Sequence, residues 1–172
     1  NAPPNVTKTI KQPFNNASLP PGTFYINSTS EIWLNVTENR SCDVGNWTLY
    51  WKVWNATTDT IINENQTQIN TTITINESCE HILGYYAMDG LGNRYPSTGW
   101  HNQTFYVDNT PPASTKQYGR PNHTNSSGAR WINFSTPIYL NASDAGCNGG
   151  VDNYTIYYRL WNESDGWSAW LN

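Results

Sequence analysis

Charge is what this 172-residue chain has least of: 13% of its residues are Asp, Glu, Lys or Arg, about half the usual share of roughly 25%. Nine Lys+Arg against thirteen Asp+Glu leave a net charge of −4. No basic patch is dense enough to suit a phosphate backbone, which excludes nucleic acid as a partner. Long apolar runs are also missing. No stretch approaches the roughly 18 to 20 residues of a spanning helix, so no membrane span is expected in this segment. The chain begins at Asn1 with no basic-then-apolar leader, and the expectation is that any signal peptide has already been removed.

Catalytic signatures are equally scarce. His81, His101 and His123 have neither metal-ligand spacing nor a Cys pair nearby, and read as surface residues. There is no Gly-x-Ser-x-Gly elbow and no phosphate-cradling Gly loop. Asp144 and Asp152 flank Gly146-Cys147-Asn148-Gly149-Gly150, which reads as a long turn. A glycosidase needs two carboxylates facing across a cleft, and nothing in the pattern places two there. The chain is therefore expected not to be an enzyme and to hold no cofactor. Calcium is the one metal considered, through Asp89, Asp108 and Asn109 at a domain end, although Asp at a strand terminus also forms turns.

Aromatics and asparagine are abundant. Aromatics make up 14%, with nine Trp and eleven Tyr, far too many for a disordered chain. There are 24 Asn and 33 Ser+Thr. Asn-x-Ser/Thr sequons begin at Asn5, Asn16, Asn27, Asn35, Asn39, Asn46, Asn55, Asn65, Asn70, Asn76, Asn102, Asn122, Asn125, Asn133, Asn141, Asn153 and Asn162. That is 17 sequons, where random placement of 24 Asn gives about four or five. The excess reads as an extracellular, densely N-glycosylated protein whose sugars supply the hydration that charges normally provide.

An internal repeat organises the chain. Asn1-Ala2-Pro3-Pro4, Thr7-Lys8 and Pro13 recur as Asn109-Thr110-Pro111-Pro112, Thr115-Lys116 and Pro121. Trp33-Leu34-Asn35-Val36-Thr37 recurs as Tyr139-Leu140-Asn141-Ala142-Ser143, Cys42 as Cys147, and Asn46–Asn55 as Asn153–Asn162. The division is a complete unit over 1–108 and the first part of a second over 109–172, to be completed by later sequence or by a neighbouring subunit. Within a unit the apolar period is two. Trp47, Leu49, Trp51 and Val53 share a face, as do Ile69, Thr71, Ile73 and Ile75, then Ile32, Leu34 and Val36, and finally Phe105 and Val107. Six or seven such strands point to an all-β chain of β-sandwich domains. In a strand, Asn and the Ser/Thr two residues on project to one side. At Asn35, Asn46, Asn70, Asn102, Asn133, Asn141 and Asn153 that side is the polar one, with the intervening residue toward the core.

Three Cys is an odd number. Cys42 and Cys79 are expected to pair within the first unit, stabilising it by roughly 4 kcal/mol. Cys147, the repeat equivalent of Cys42, is expected to pair with a cysteine outside this chain.

Gly84-Tyr85-Tyr86-Ala87-Met88-Asp89-Gly90-Leu91-Gly92-Asn93, followed by Thr104-Phe105-Tyr106-Val107-Asp108-Asn109-Thr110-Pro111-Pro112, resembles bacterial and archaeal Ig-like repeats. Those repeats close with an Ala-x-Asp-x-x-Gly-Asn turn and a Val-Asp-x-Thr-Pro-Pro linker. The resemblance implies tandem Ig-like or fibronectin-like sandwiches of large surface proteins. The sequon density looks most like heavily glycosylated archaeal surface and filament proteins. The Cys pair departs from the antibody arrangement, so an inter-sheet disulfide is not implied. The Pro-Pro linker favours a stiff, extended connection.

Trp47 and Trp51 fall on the inward phase, whereas Trp33, Trp54 and Trp161 fall on the outward phase, and Trp167 and Trp170 lie in the tail. Exposed rings stack on sugars, on the chain's own glycans or on a second subunit. The expected function is structural: a glycosylated surface filament, S-layer or adhesive stalk that self-associates. The alternative is a carbohydrate-binding or spacer module of a larger secreted enzyme.

Overall fold

The computed structural model describes residues 2–16, 20–38, 46–146 and 155–172. All regular structure among them is β, as the period of two requires. The chain divides into two compact units. The first is Asn1–Asn109 with Gly146–Gly150, and the second is Thr110–Ala145 with Val151–Asn172.

Among the described residues ten strands build the first unit: β1 (Asn5–Ile10), β2 (Phe14–Asn15), β3 (Thr23–Ile26), β4 (Ile32–Thr37), β5 (Trp47–Asn55), β6 (Thr60–Thr67), β7 (Thr71–Ile73), β8 (Cys79–Asp89), β9 (Arg94–Tyr95) and β10 (His101–Val107). One sheet runs β1-β4-β7. The other runs β2-β3-β10-β8-β5-β6, with β9 alongside β8. Every pairing is antiparallel except β3 with β10.

The two sheets share one core, the arrangement of a β-sandwich. Ile32, Leu34 and Val36 from the smaller sheet meet Leu49, Trp51, Val53, Leu83, Phe105 and Val107 from the larger, all buried. Each such aliphatic or aromatic side chain gains about 1.5–3 kcal/mol on leaving water, and alternation delivers them to one face without burying the polar residues between. The expected Ile69–Ile75 strand is shorter than its pattern: only Thr71–Ile73 pairs with β4, and Ile69 is exposed. Ile73 and Ile75 fill the core, while Ile69 lies before β7 begins and has no sheet to cover it.

The second unit contains β11 (Ala113–Tyr118), β12 (Asn122–Thr124), β13 (Arg130–Ile132), β14 (Ile138–Ser143), β15 (Trp161–Asn162) and β16 (Gly166–Trp167). Its first strands reproduce the first unit residue by residue. Ala113↔Ser143 through Tyr118↔Ile138 matches Asn5↔Thr37 through Ile10↔Ile32, and Asn122↔Ile132 matches Phe14↔Ile26. The connecting turns match as well: Ser30 Oγ donates to the Pro13 carbonyl, and Thr136 Oγ1 to that of Pro121. What differs is cover. Ile26 and Ile32 are 3% and 0% exposed, whereas their counterparts Ile132 and Ile138 are 44% and 42% exposed. The counterpart of β5 also departs from expectation. Among its described residues only Trp161–Asn162 form strand: β16 and the Tyr158–Leu171 bridge flank the segment on one side, as β6 flanks β5, but no described strand stands where β8 does.

Candidate functional site

Fifteen of the 17 sequon asparagines are described; Asn39 and Asn153 lie outside the described residues. None of the fifteen is buried, and only Asn27, Asn35, Asn55 and Asn125 are half-buried. Five sit in turns whose geometry the sequon itself makes. The Oδ1 atoms of Asn27, Asn55, Asn125, Asn133 and Asn162 accept the backbone N–H two residues ahead at 2.8–3.1 Å. Thr29, Ser127 and Ser135 add their hydroxyls to the same oxygen at 2.7–2.8 Å. These are Asx turns, in which the amide oxygen replaces a backbone acceptor. Oδ1 is thereby engaged, and Nδ2, the atom that carries an N-glycan, lies at the other end of the amide.

Other sequons lie on strands. On β4, Trp33, Asn35 and Thr37 face outward while Ile32, Leu34 and Val36 are buried. On β10, Asn102 is exposed and Gln103 buried. Asn133 departs from its expected strand position: it is a turn residue, and Phe134, expected to point to a core, is fully exposed.

The outer face of the larger sheet gathers the aromatics. Tyr50 of β5 pairs with Tyr86 of β8, the rings stacked 4.6 Å apart. Trp100 meets Tyr86 edge-on at 4.7 Å, and the Arg94 guanidinium lies 3.9 Å from the centre of the Tyr86 ring. In the next cross-strand row Lys52, Gly84 and Asn102 are neighbours. Gly84 makes room for two indoles. A Cβ there would stand 2.9 Å from the Trp54 ring, 3.3 Å from that of Trp100 and 3.2 Å from Asn102 Oδ1. Lys52 Nζ caps both indoles, 4.8 Å from Trp54 and 5.0 Å from Trp100, a cation–π pairing with two donors of ring density. An open groove of about 340 Å³ runs beside this patch, lined by Tyr50, Trp51, Glu64, Asn65, Gln66 and Trp100. Sequence reasoning singled out Trp54 but missed Trp100 and Gly84. The available signal was phase, since Trp100 precedes Asn102 by two.

The remaining Trp divide as their phase implies. Trp51 is buried and Trp47 packs against the core. Trp33 is exposed, its Nε1 donating to Glu31 and its ring 4.2 Å from Lys11 Nζ. Trp161, Trp167 and Trp170 are exposed, with Arg159 against the last two.

The calcium candidates do not converge. Asp89 ends β8, whereas Asp108 and Asn109 follow β10, which runs antiparallel to β8 with Val107 opposite Cys79. They therefore stand at opposite ends of the sheet, about 30 Å apart. Asp89 instead ties its own turn. Its carboxylate accepts the N–H groups of Leu91 and Asn93, each at 2.9 Å, and Asn93 Nδ2 at 2.8 Å. These bonds, the Asn93 side chain first, hold its carboxyl below the usual range. Asn109 Oδ1 accepts the Ser28 N–H at 2.8 Å. Among the described residues no three His, Cys, Asp or Glu gather as a metal site.

His123 is exposed as expected, but His81 is fully buried, with Nδ1 3.0 Å from the Cys79 carbonyl. His81 lies on the inward phase of β8 with Leu83, Tyr85 and Ala87, a position its residue type concealed. His101 is half-buried against Tyr85 at 5.2 Å, and burial, then the charge of Lys8, lowers its pKa. Asp144 is half-buried, and Asp152 lies outside the described residues. Cys79 is disulfide-bonded. Its partner lies outside the described residues, as both Cys42 and Cys147 do. Comparison with protein-family models, curated proteins and solved structures finds no match to this chain.

Proposed function

We propose that this is an extracellular, densely N-glycosylated structural protein of tandem Ig-like units, and that it self-associates into a surface filament, S-layer or adhesive stalk. The observation that carries the reading is the placement of the sequons: 17 in 172 residues, none buried among the fifteen described. A glycan needs an accessible Nδ2, all fifteen described positions leave their asparagine at least partly exposed, and the number of sequons is about four times what chance placement gives. The glycans take over the solvating role that a 13% charged surface fills weakly, and they blunt sheet edges that would otherwise pair indiscriminately. In the second unit, apolar side chains equivalent to buried ones in the first lie open to solvent and call for cover, from further sequence or from a neighbouring subunit. The similarity to archaeal surface proteins belongs to the same proposal.

A second reading has its own support. Tyr50, Tyr86, Trp100 and Trp54 form an outward aromatic face beside a groove lined by aromatic rings on one side and by Glu64, Asn65 and Gln66 on the other, a surface suited to stacking pyranose rings, as in a carbohydrate-binding module. The two readings separate experimentally. Site-resolved mass spectrometry of the native protein, with electron microscopy of material released from cells, is expected to give occupied sequons and regular filaments or sheets. Unoccupied sequons and dispersed particles would overturn the structural reading. Polysaccharide binding that survives deglycosylation and is lost in Trp54→Ala would establish the second.

A further inference from the structure

The outward aromatics and the sequons are spaced in a way neither reading requires. An aromatic residue stands two positions before the sequon Asn at Asn16, Asn27, Asn35, Asn102, Asn133 and Asn141. That is six of 17 sequons, where a 14% aromatic content gives about two or three. In a strand, residues two apart share a face and sit about 6.6 Å from each other. A glycan on Asn therefore leaves the protein beside the preceding ring.

Two of the six pairs lie wholly on strands, and a third is brought together at the start of one. On β4 they are Trp33 and Asn35; on β14 their repeat equivalents, Tyr139 and Asn141, are both exposed. In the third, Trp100 directly precedes β10 and Asn102 is its second residue, and both side chains lie beside Gly84. The Trp rings are already fixed. Trp33 is held by its Nε1 bond to Glu31 at 2.8 Å and by Lys11 above the ring. Trp100 is held by Tyr86 and Lys52, and Gly84 lets it lie alongside Asn102, since a Cβ at Gly84 would touch both. A ring whose rotamer is set before the ligand arrives loses little entropy on binding it.

The geometry points to Trp33, Trp100 and Tyr139 as docking platforms for the chain's own glycans, each stacking against the C–H face of the first pyranose on the Asn two residues further on. This rests on the glycoprotein reading and adds a function to it. Each docked sugar covers an exposed ring and holds its glycan along the sheet, which makes the coat part of the fold rather than a free brush. Phe14, Tyr25 and Trp131 lie on strands that end just before Asn16, Asn27 and Asn133, two of which turn away in Asx turns, and they are not assigned the role.

The test uses the natively glycosylated chain and the variants Trp33→Leu, Asn35→Gln, the double substitution and Trp33→Phe. Because Trp33 faces outward, the core is untouched. Glycopeptide mass spectrometry first reports whether Asn35 and Asn102 carry glycans. NMR then reads the ring protons of the first sugar on Asn35. They are expected to be shifted upfield by the indole, to lose that shift in Trp33→Leu and to keep most of it in Trp33→Phe. In thermal unfolding the two single substitutions are expected to be non-additive, with a coupling of about 2–6 °C in Tm. Occupied sites with unshifted sugar protons and additive Tm changes would overturn the platforms and leave the glycoprotein reading standing. Empty sites at both Asn35 and Asn102 would overturn the platforms there and count against that reading too.

Discussion

Asp89 makes the turn after β8 depend on an ionised carboxylate. Its carboxylate accepts three hydrogen bonds from the turn after β8, and they lower its pKa below that of a free Asp. A group whose folded pKa is depressed stabilises the fold above the unfolded value, about 3.9, and that stabilisation is lost as pH falls through the folded value. Asp89→Asn is therefore expected to unfold at lower denaturant at neutral pH, with the gap to the parent closing below about pH 4. Equal gaps at pH 7 and pH 3 would remove the charge from the explanation. Gly84 is the second sensitive position, for a steric reason. Gly84→Ala places a methyl 2.9 Å from the Trp54 ring, and overpacking of that kind costs about 1–3 kcal/mol. Adding Trp54→Leu is expected to recover part of the loss in a denaturation midpoint. Strictly additive losses would place the strain elsewhere.

At the scale of elements, alternation was legible and neighbours were not. Ile32, Leu34, Val36, Leu49, Trp51, Val53, Phe105 and Val107 read as inward from spacing alone and are all buried, because a one-sided strand has only one face to give the core. The repeat was legible for the same reason: β11 and β14 pair in the register of β1 and β4. What spacing cannot carry is which strands adjoin. The parallel pairing of β3 with β10, the row joining Lys52, Gly84 and Asn102, and the separation of Asp89 from Asp108 all depend on sheet order.

The disulfide depends on sheet order as well. Trp47 pairs with Asp89, and Cys79 lies ten residues back along β8, about 33 Å away. Cys42 precedes Trp47 by five residues, at most about 18 Å of chain. The shortfall exceeds the roughly 7 Å a disulfide spans between Cα atoms. Cys79 is instead opposite Val107, and the following Asp108 has its carboxylate against Gly146, the residue before Cys147. Peptide mapping without reduction is expected to join Cys79 to a peptide other than that of Cys42. A Cys42–Cys79 peptide would refute the β5–β8 register.

At the scale of the molecule, the two units pose the same local sequence with different cover. Ile26 and Ile32 sit in the core shared by the two sheets, while Ile132 and Ile138, in matching registers, are more than two-fifths exposed. Trp131, Leu160, Trp161 and Trp167 add further open apolar area to the second unit. An Ile left about two-fifths exposed forgoes a similar share of the roughly 1.5–3 kcal/mol it gains when buried, so cover for this face, from further sequence or from a second copy, is favoured by several such terms at once. The charge is low and of mixed sign, so little electrostatic repulsion opposes that approach. The expected behaviour is concentration-dependent association in sedimentation, insensitive to salt because the contact is apolar. Introducing Ile132→Asp with Ile138→Asp is expected to abolish it, whereas Ile61→Asp and Leu91→Asp, at exposed sites of the first unit, leave it intact. Association that survives the first pair and fails with the second would move the contact to the first unit, and with it the reading of the open face as the joint of the assembly.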